Sequence, residues 1–266
     1  NSRRTGPSAP CYDGGDMKVV GVIQARMAST RLPSKTLLPI HGEPMLLRVY
    51  DRLRLCQRLD QVVVATSPDR ANDVIRAVCT RDSVECLTGG YDDDSVGARL
   101  RHVAIKTGAD AIVRITPDCP LIDPGLVDEV VAEGTGERDY GMAGRSHLPT
   151  DYCSNVFPRS YPNGLDCEFI TRACLEKLPE SEEPTRHIWE HPEAFRIASV
   201  THPENLSWMN WTVNYQRDLD FVRWVYGQLP EGFSWQDVLA LRDQGPWGER
   251  FWPALAEGAW HKVATK

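Results

Sequence analysis

The chain has 266 residues, 41% hydrophobic and 25% charged, the composition of an ordinary globular protein with one large domain or two small ones. A formal net charge of -7 without any block of Lys and Arg gives a nucleic-acid partner no electrostatic footprint. The longest apolar runs, such as Val62 to Ala65 and Ala111 to Val113, are far too short to span a bilayer, so no membrane partner is expected and the chain reads as cytoplasmic.

Residues 1–16 are polar, rich in Gly, Pro and Ser, and read as a disordered leader before Met17. From there the pattern alternates. Val19 to Ile23 reads as a buried strand, Pro44 to Cys56 as a helix with proline in its first turn, and Gln61 to Thr66 as a second strand. A helix over Arg70 to Thr80, a short strand near Val84 to Leu87, a helix over Ser95 to Lys106 and a strand over Ala111 to Ile115 follow. This alternation implies right-handed crossovers and an α/β fold with a mostly parallel central sheet flanked by helices. Ligands in such sheets bind at the carboxyl ends of the strands, which singles out the loops Gln24 to Lys35 and Thr116 to Leu121.

After a helix over Pro124 to Glu133, the stretch from Gly134 to Tyr161 reads as irregular around a short strand near Tyr140. Leu165 to Ile170, Phe195 to Val200 and Trp208 to Val213 read as strands, and Thr171 to Leu178 and Asp218 to Gln228 as helices. Trp235, Trp247, Trp252 and Trp260 suit a packed C-terminal arm or a subunit contact. The eight cysteines form no C-x-x-C pair and mostly fall in apolar segments, so they read as reduced, buried thiols.

The loop Gln24-Ala25-Arg26-Met27-Ala28-Ser29-Thr30-Arg31-Leu32-Pro33-Ser34-Lys35 packs three cations, several hydroxyls and small residues directly after an apolar strand. Backbone N–H groups and hydroxyls can approach phosphate oxygens there while Arg and Lys neutralise charge; the alternative is a solvated basic loop. It is not a Walker A sequence. His187-Ile188-Trp189-Glu190-His191 fits the H-x-x-E-H zinc pattern, but Pro192 disfavours helix at His191, so a surface turn before the Phe195 strand is the better reading.

QARMASTRLPSK, LLPIHGEPML, VVVATSPD, VRITPDCPLIDPGLVDEV and YPNGLDCEFI, in that order, resemble the cytidylyltransferase superfamily of the CMP-sugar-acid synthetases, nearest its spore-coat polysaccharide branch. The resemblance runs from about Lys18 to Gly245. It implies a GT-A-like nucleotidyltransferase fold over residues 17–245, with a smaller acceptor and dimerisation subregion and residues 246–266 as the Trp-rich arm. It also implies transfer of CMP from magnesium-bound CTP to a small acidic acceptor, with release of pyrophosphate, and a homodimer. Arg26, Ser29, Arg31 and Lys35 match the signature that grips the triphosphate, flanked by Gln24 and Ala25. Ala65 and Thr66 match the edge where cytosine is read, Arg114 and Thr116 complete the expected nucleotide contacts, and Asp118 matches the metal-binding aspartate. Without the resemblance, Asp118 reads first as a turn or cap residue, and the resemblance reverses that ordering.

Two positions depart from the family pattern. Thr212-Val213-Asn214 stands where TVD is usual, so Asn214 is a neutral candidate for the second metal position, with Asp166 and Glu168 as substitute carboxylates and Asp218 as a helix-start residue. Pro184-Thr185-Arg186-His187 replaces an EHVT-like string, and with Asp166, Glu168 and Arg186 marks the expected acceptor end. Arg145, Arg159, Arg172 and Arg186 lean the acceptor toward a phosphonate, with a sugar acid of the Kdo or sialic type as the alternative. A third reading, prompted by Asn214, is a catalytically silent nucleotide sensor.

Overall fold

Val19–Gln24 (β1) is buried on both faces: Val19 and Ile23 pack into one apolar layer, Val20 and Val22 into the other. That two-sided burial makes it a central strand. The computed structural model describes residues 17–137, 149–181, 183–242, 244 and 247; the leader, the strand near Tyr140, Arg145, Trp252 and Trp260 lie outside them. After β1 come a small antiparallel ribbon, β2 (Pro39–Ile40) and β3 (Glu43–Pro44), then α1 (Met45–Leu53), β4 (Gln61–Thr66), α2 (Asp73–Arg81), β5 (Cys86–Thr88), α3 (Val96–Thr107), β6 (Ala111–Ile115) and α4 (Pro124–Thr135). The second half adds β7 (Tyr152–Ser154), β8 (Glu168–Thr171), α5 (Arg172–Leu175), α6 (Arg186–Glu190), β9 (Ile197–Ser199), α7 (Gln216–Gln228) and α8 (Trp235–Ala240).

The main sheet has seven strands in the order β5-β4-β1-β6-β8-β7-β9. The first four are parallel, β8 runs antiparallel to both β6 and β7, and β9 is parallel to β7. Helices α1, α2, α4 and α7 supply one apolar layer and α3 with α5 the other. β1 and β4 end in register, Gln24 opposite Ala65, and the Ala25 N–H continues the ladder to the Ala65 carbonyl at 2.9 Å. Among the described residues no cysteine is in a disulfide and no helix is long and apolar enough to cross a membrane.

Three expectations are corrected. Trp208 to Val213 is not a strand. Met209, Trp211 and Val213 are buried alternately as in a strand, but their N–H groups donate to the carbonyls of Leu206, Asn163 and Asp118 at 3.0, 2.6 and 2.9 Å. Gly164 permits this: it has φ 110°, and a Cβ there would lie 2.7 Å from the Thr212 nitrogen. Next, the H-x-x-E-H segment is helical through Glu190, the helix stopping before Pro192; the His187 and His191 rings lie 4.6 Å apart. No cluster of three metal-ligating side chains exists among the described residues. Finally, the helix expected over Thr171 to Leu178 is only α5, capped by the Thr171 hydroxyl, which accepts from the Cys174 N–H at 3.3 Å.

Candidate active site

The cationic loop is folded back on itself by the Thr36 hydroxyl, which donates to the Arg26 carbonyl at 3.0 Å. Ser34 then takes a left-handed backbone, φ 57°, a conformation disfavoured by roughly 1–2 kcal/mol for non-glycine residues. Lys35 follows in a short 3-10 turn. Its ammonium donates to Asp118 Oδ2 at 2.6 Å, to the Val213 carbonyl at 2.9 Å and to Asn214 Oδ1 at 3.0 Å. Three segments more than 80 residues apart in sequence thus meet on one cation.

Their meeting is built by backbone. The Val213 N–H donates to the Asp118 carbonyl, and Asp218 Oδ2 accepts from the N–H groups of Asn214 and Tyr215 at 2.9 and 2.8 Å, which makes Asp218 the first-turn residue of α7 expected from sequence. Beside Asp118, the Thr116 hydroxyl lies 3.2 Å from the Cys119 sulfur. Burial, and then the Asp118 charge, push the Cys119 thiol well above its ordinary range, so it stays protonated.

The other loop residues are placed differently. Arg26 donates to Asp94 at 2.6 Å, Arg31 is exposed with its guanidinium 6.0 Å from the Tyr215 ring centre, and Ser29 is half-buried. At the strand ends, Ala65 and Thr66 are fully buried; Thr66 Oγ1 and Gln24 Oε1 are buried without a hydrogen-bond partner. Orphaned polar atoms at the carboxyl edge of parallel strands fit a bound polar group.

Arg114 and Glu168 are directly opposite on β6 and β8 and form a buried ion pair. The other Glu168 oxygen accepts from the Tyr152 hydroxyl at 2.6 Å, and Trp189 Nε1 donates to that hydroxyl at 3.2 Å. Burial opposes the Arg114 charge, yet Glu168 outweighs it and keeps the pKa above the ordinary value; burial and Glu168 together raise Tyr152, which remains a donor. Both Glu168 oxygens are therefore engaged within the protein, and Arg114 faces Glu168 rather than the Lys35 cluster. Asp166 is gripped by both Arg159 Nη atoms at 2.6 and 2.7 Å. Arg186 is exposed and pairs with Glu190 at 2.8 Å, and Arg172 donates its N–H to the Asp110 carbonyl at the opposite end of β6.

Sequence reading missed a supporting network. Asp93 Oδ1 accepts from the Ser67 hydroxyl at 2.5 Å and from Asn72 Nδ2 at 2.8 Å, while Asn72 Oδ1 accepts from the Met27 N–H at 2.8 Å. It ties the cationic loop to the end of β4. The available signal was the run Asp92-Asp93-Asp94, which looks like an ordinary helix-start cluster before α3.

A mostly parallel sheet with a cationic loop at its carboxyl edge and a carboxylate facing that loop defines an α/β nucleotidyltransferase fold. The chain belongs to the cytidylyltransferase family, whose profile matches residues 20–156. It is 31% identical over 237 residues to a 3-deoxy-manno-octulosonate cytidylyltransferase from Psychrobacter sp., covering 86% of this chain and 84% of that protein. A protein of the same description from Geobacter metallireducens is 39% identical over 116 residues, 44% of either chain, so the chain spans less than half the length of some curated relatives it matches. A solved cytidylyltransferase from Leptospira borgpetersenii superposes with a TM-score of 0.75 at 28% identity, covering 86% of this chain and 95% of that one. The profile includes Arg26, Lys35, Thr66 and Asp118, while Asp166, Glu168 and Asn214 lie beyond it.

Proposed function

We propose that the chain transfers CMP from magnesium-bound CTP to a small acidic acceptor and releases pyrophosphate, acting in the cytoplasm as a homodimer. The observation that carries this reading is the convergence of Lys35, Asp118 and Asn214 at the carboxyl edge of the sheet. An acceptor oxygen attacks the α-phosphorus and pyrophosphate leaves in line, so catalysis rests on positioning and charge stabilisation. An ionised phosphonate oxygen would attack without a general base, whereas a sugar acid attacks through a hydroxyl whose proton passes to solvent as the bond to phosphorus forms. Arg26, paired with the exposed Asp94, and Arg31, near the exposed Tyr215 ring, lie on the loop that meets the phosphate oxygens, and Thr66 and Gln24 offer unpartnered polar atoms to the base.

Magnesium takes oxygen donors and needs only one or two protein carboxylates. The Asp118 carboxylate and Asn214 amide oxygen already surround a cation, the Lys35 ammonium, so the donor set fits the ion. When bound, the metal supplies charge neutralisation at the phosphates. Lys35 then serves the phosphates rather than Asp118.

For the acceptor we favour a sugar acid. Relatives described as 3-deoxy-manno-octulosonate cytidylyltransferases support it, and Arg114 and Arg159 each already hold a carboxylate, which leaves less charge for a dianionic phosphonate. The test is pyrophosphate release from CTP, UTP, GTP and ATP against 3-deoxy-manno-octulosonate, other sugar acids and phosphonates. Release with CTP and a sugar acid is expected; turnover only with phosphonates reverses the acceptor assignment, and CTP binding without turnover on any acid favours a sensor. A monomeric mass at micromolar concentration removes the homodimer.

A further inference from the structure

A cavity of about 500 Å3 lies between α1, the end of α7 and the turn that follows it, and none of the residues assigned above lines it. Its volume falls within the roughly 300–1,000 Å3 typical of small-molecule sites. Leu55, Leu229 and Phe233 give it an apolar wall, and two guanidiniums reach it. Arg52 is 5% exposed. Its Nε donates to the Ile122 carbonyl, its Nη2 to the Phe233 carbonyl at 2.9 Å, and its guanidinium lies 4.1 Å from the Phe233 ring centre. Among the described residues Nη1 has no hydrogen bond and no carboxylate lies within ion-pair distance of this guanidinium; the buried Asp123 acts on it only at longer range. Arg48 is similar: it donates to the Ile40 and His41 carbonyls at 3.0 and 2.9 Å and lies 5.2 Å from the Tyr226 ring centre, again without a carboxylate bond. Asp51 and Glu231 also line the cavity; neither forms an ion pair with these arginines among the described residues, although the Arg48 charge acts on Asp51.

A guanidinium this buried normally has an anionic partner, because desolvating an unpaired charge is costly. Burial outweighs the opposing Tyr226 and Asp123 and pulls the Arg52 pKa below the ordinary arginine value. We propose that the cavity binds a small organic anion with an apolar or aromatic body, its acidic group on Arg52 and Arg48 and its body against Leu55, Leu229 and Phe233, and that this ligand is an effector of the nucleotide site. The coupling route is short. Arg52 holds the Ile122 carbonyl, and the Tyr226 hydroxyl donates to the Pro120 carbonyl at 2.8 Å, both on the loop that carries Asp118. A ligand that moves either side chain moves that loop. The effector role rests on the nucleotide reading of that loop; the binding site itself does not.

The test titrates the full chain calorimetrically with 1-naphthyl phosphate and with neutral 1-naphthol. One-to-one binding of the phosphate is expected, with the naphthol about tenfold weaker, the loss of one charge-assisted contact. Arg52→Gln should weaken the phosphate by a similar factor. Leu55→Glu, at a position 50% exposed and so tolerant of change, should do the same by placing a negative charge at the rim even if Arg52→Gln folds poorly. CTP affinity is measured first without the probe, which tests the nucleotide reading separately. A saturating probe should then shift wild-type CTP affinity about fivefold or more, the lower end of the usual range of coupling free energies, and leave Leu55→Glu unchanged. Equal binding of phosphate and naphthol, binding that survives Leu55→Glu, or an unshifted wild-type CTP affinity overturns the proposal.

Discussion

The cationic loop and the acceptor-side centre treat their charges differently. Arg26 is held by Asp94, whose side chain is 76% exposed, and Arg31 only lies near the exposed Tyr215 ring. Such pairs are screened and contribute little to stability, so these cations can exchange their partners for a ligand's oxygens. Arg114 instead faces a Glu168 side chain that is 6% exposed, with Tyr152 and Trp189 completing the network. Exchange there would leave a buried charge unpaired. The loop is therefore built to respond to a ligand, while Arg114 and Glu168 form a fixed floor.

Substitutions on each side test that contrast. The largest effect is expected at Asp118→Asn, which removes the carboxylate from the Lys35 cluster: turnover followed by pyrophosphate release should fall about 10³-fold, in the upper range for losing one transition-state electrostatic contact. Wild-type magnesium dependence in that variant would sink the metal assignment. Arg114→Met leaves Glu168 buried without its cation and should destabilise the fold by about 3–5 kcal/mol, read from urea unfolding. Adding Glu168→Leu should recover much of that loss, because both charges are then gone. Arg26→Ala should lower kcat/KM for CTP about 10²-fold while moving stability by no more than about 0.5 kcal/mol. A destabilisation as large as that of Arg114→Met would erase the distinction between the two regions.

Sequence made the first half of the sheet legible because β1, β4 and β6 are short apolar runs separated by helical periods, and because loop chemistry concentrates after β1. Asp218 was legible as a helix start for the same local reason. The late segment was not. Met209, Trp211 and Val213 give the alternation of a strand, yet alternation reports only which side chains are buried, and here the partners of the backbone are single carbonyls from Leu206, Asn163 and Asp118. Glu168 shows the same limit at the site: its residue type suits magnesium, but the Arg114 and Tyr152 that take both its oxygens come from other strands. The Asp93–Ser67–Asn72 network was hidden because its members are ordinary turn and cap residues until three segments meet.

Asn214→Asp should have the smallest effect and separates two roles for that side chain. Its amide oxygen lies 3.0 Å from the Lys35 ammonium, and its N–H is fixed by Asp218, so an aspartate can occupy the same place without moving the backbone. A second carboxylate adds attraction for a divalent ion, and the magnesium concentration at half-maximal rate should fall about threefold to tenfold, roughly 1 kcal/mol for charges in a partly solvated site. The same carboxylate also strengthens the hold on Lys35, which must leave Asp118 if it is to reach a phosphate. KM for CTP should therefore rise as magnesium tightens, and Asn214→Leu, which removes the acceptor atom altogether, should weaken magnesium without that penalty on CTP. Titrating magnesium at saturating CTP, and CTP at saturating magnesium, reads the two effects apart. If Asn214→Asp and Asn214→Leu leave both constants at wild-type values, Asn214 has no part in holding either cation, and Asp118 alone faces Lys35 and the metal.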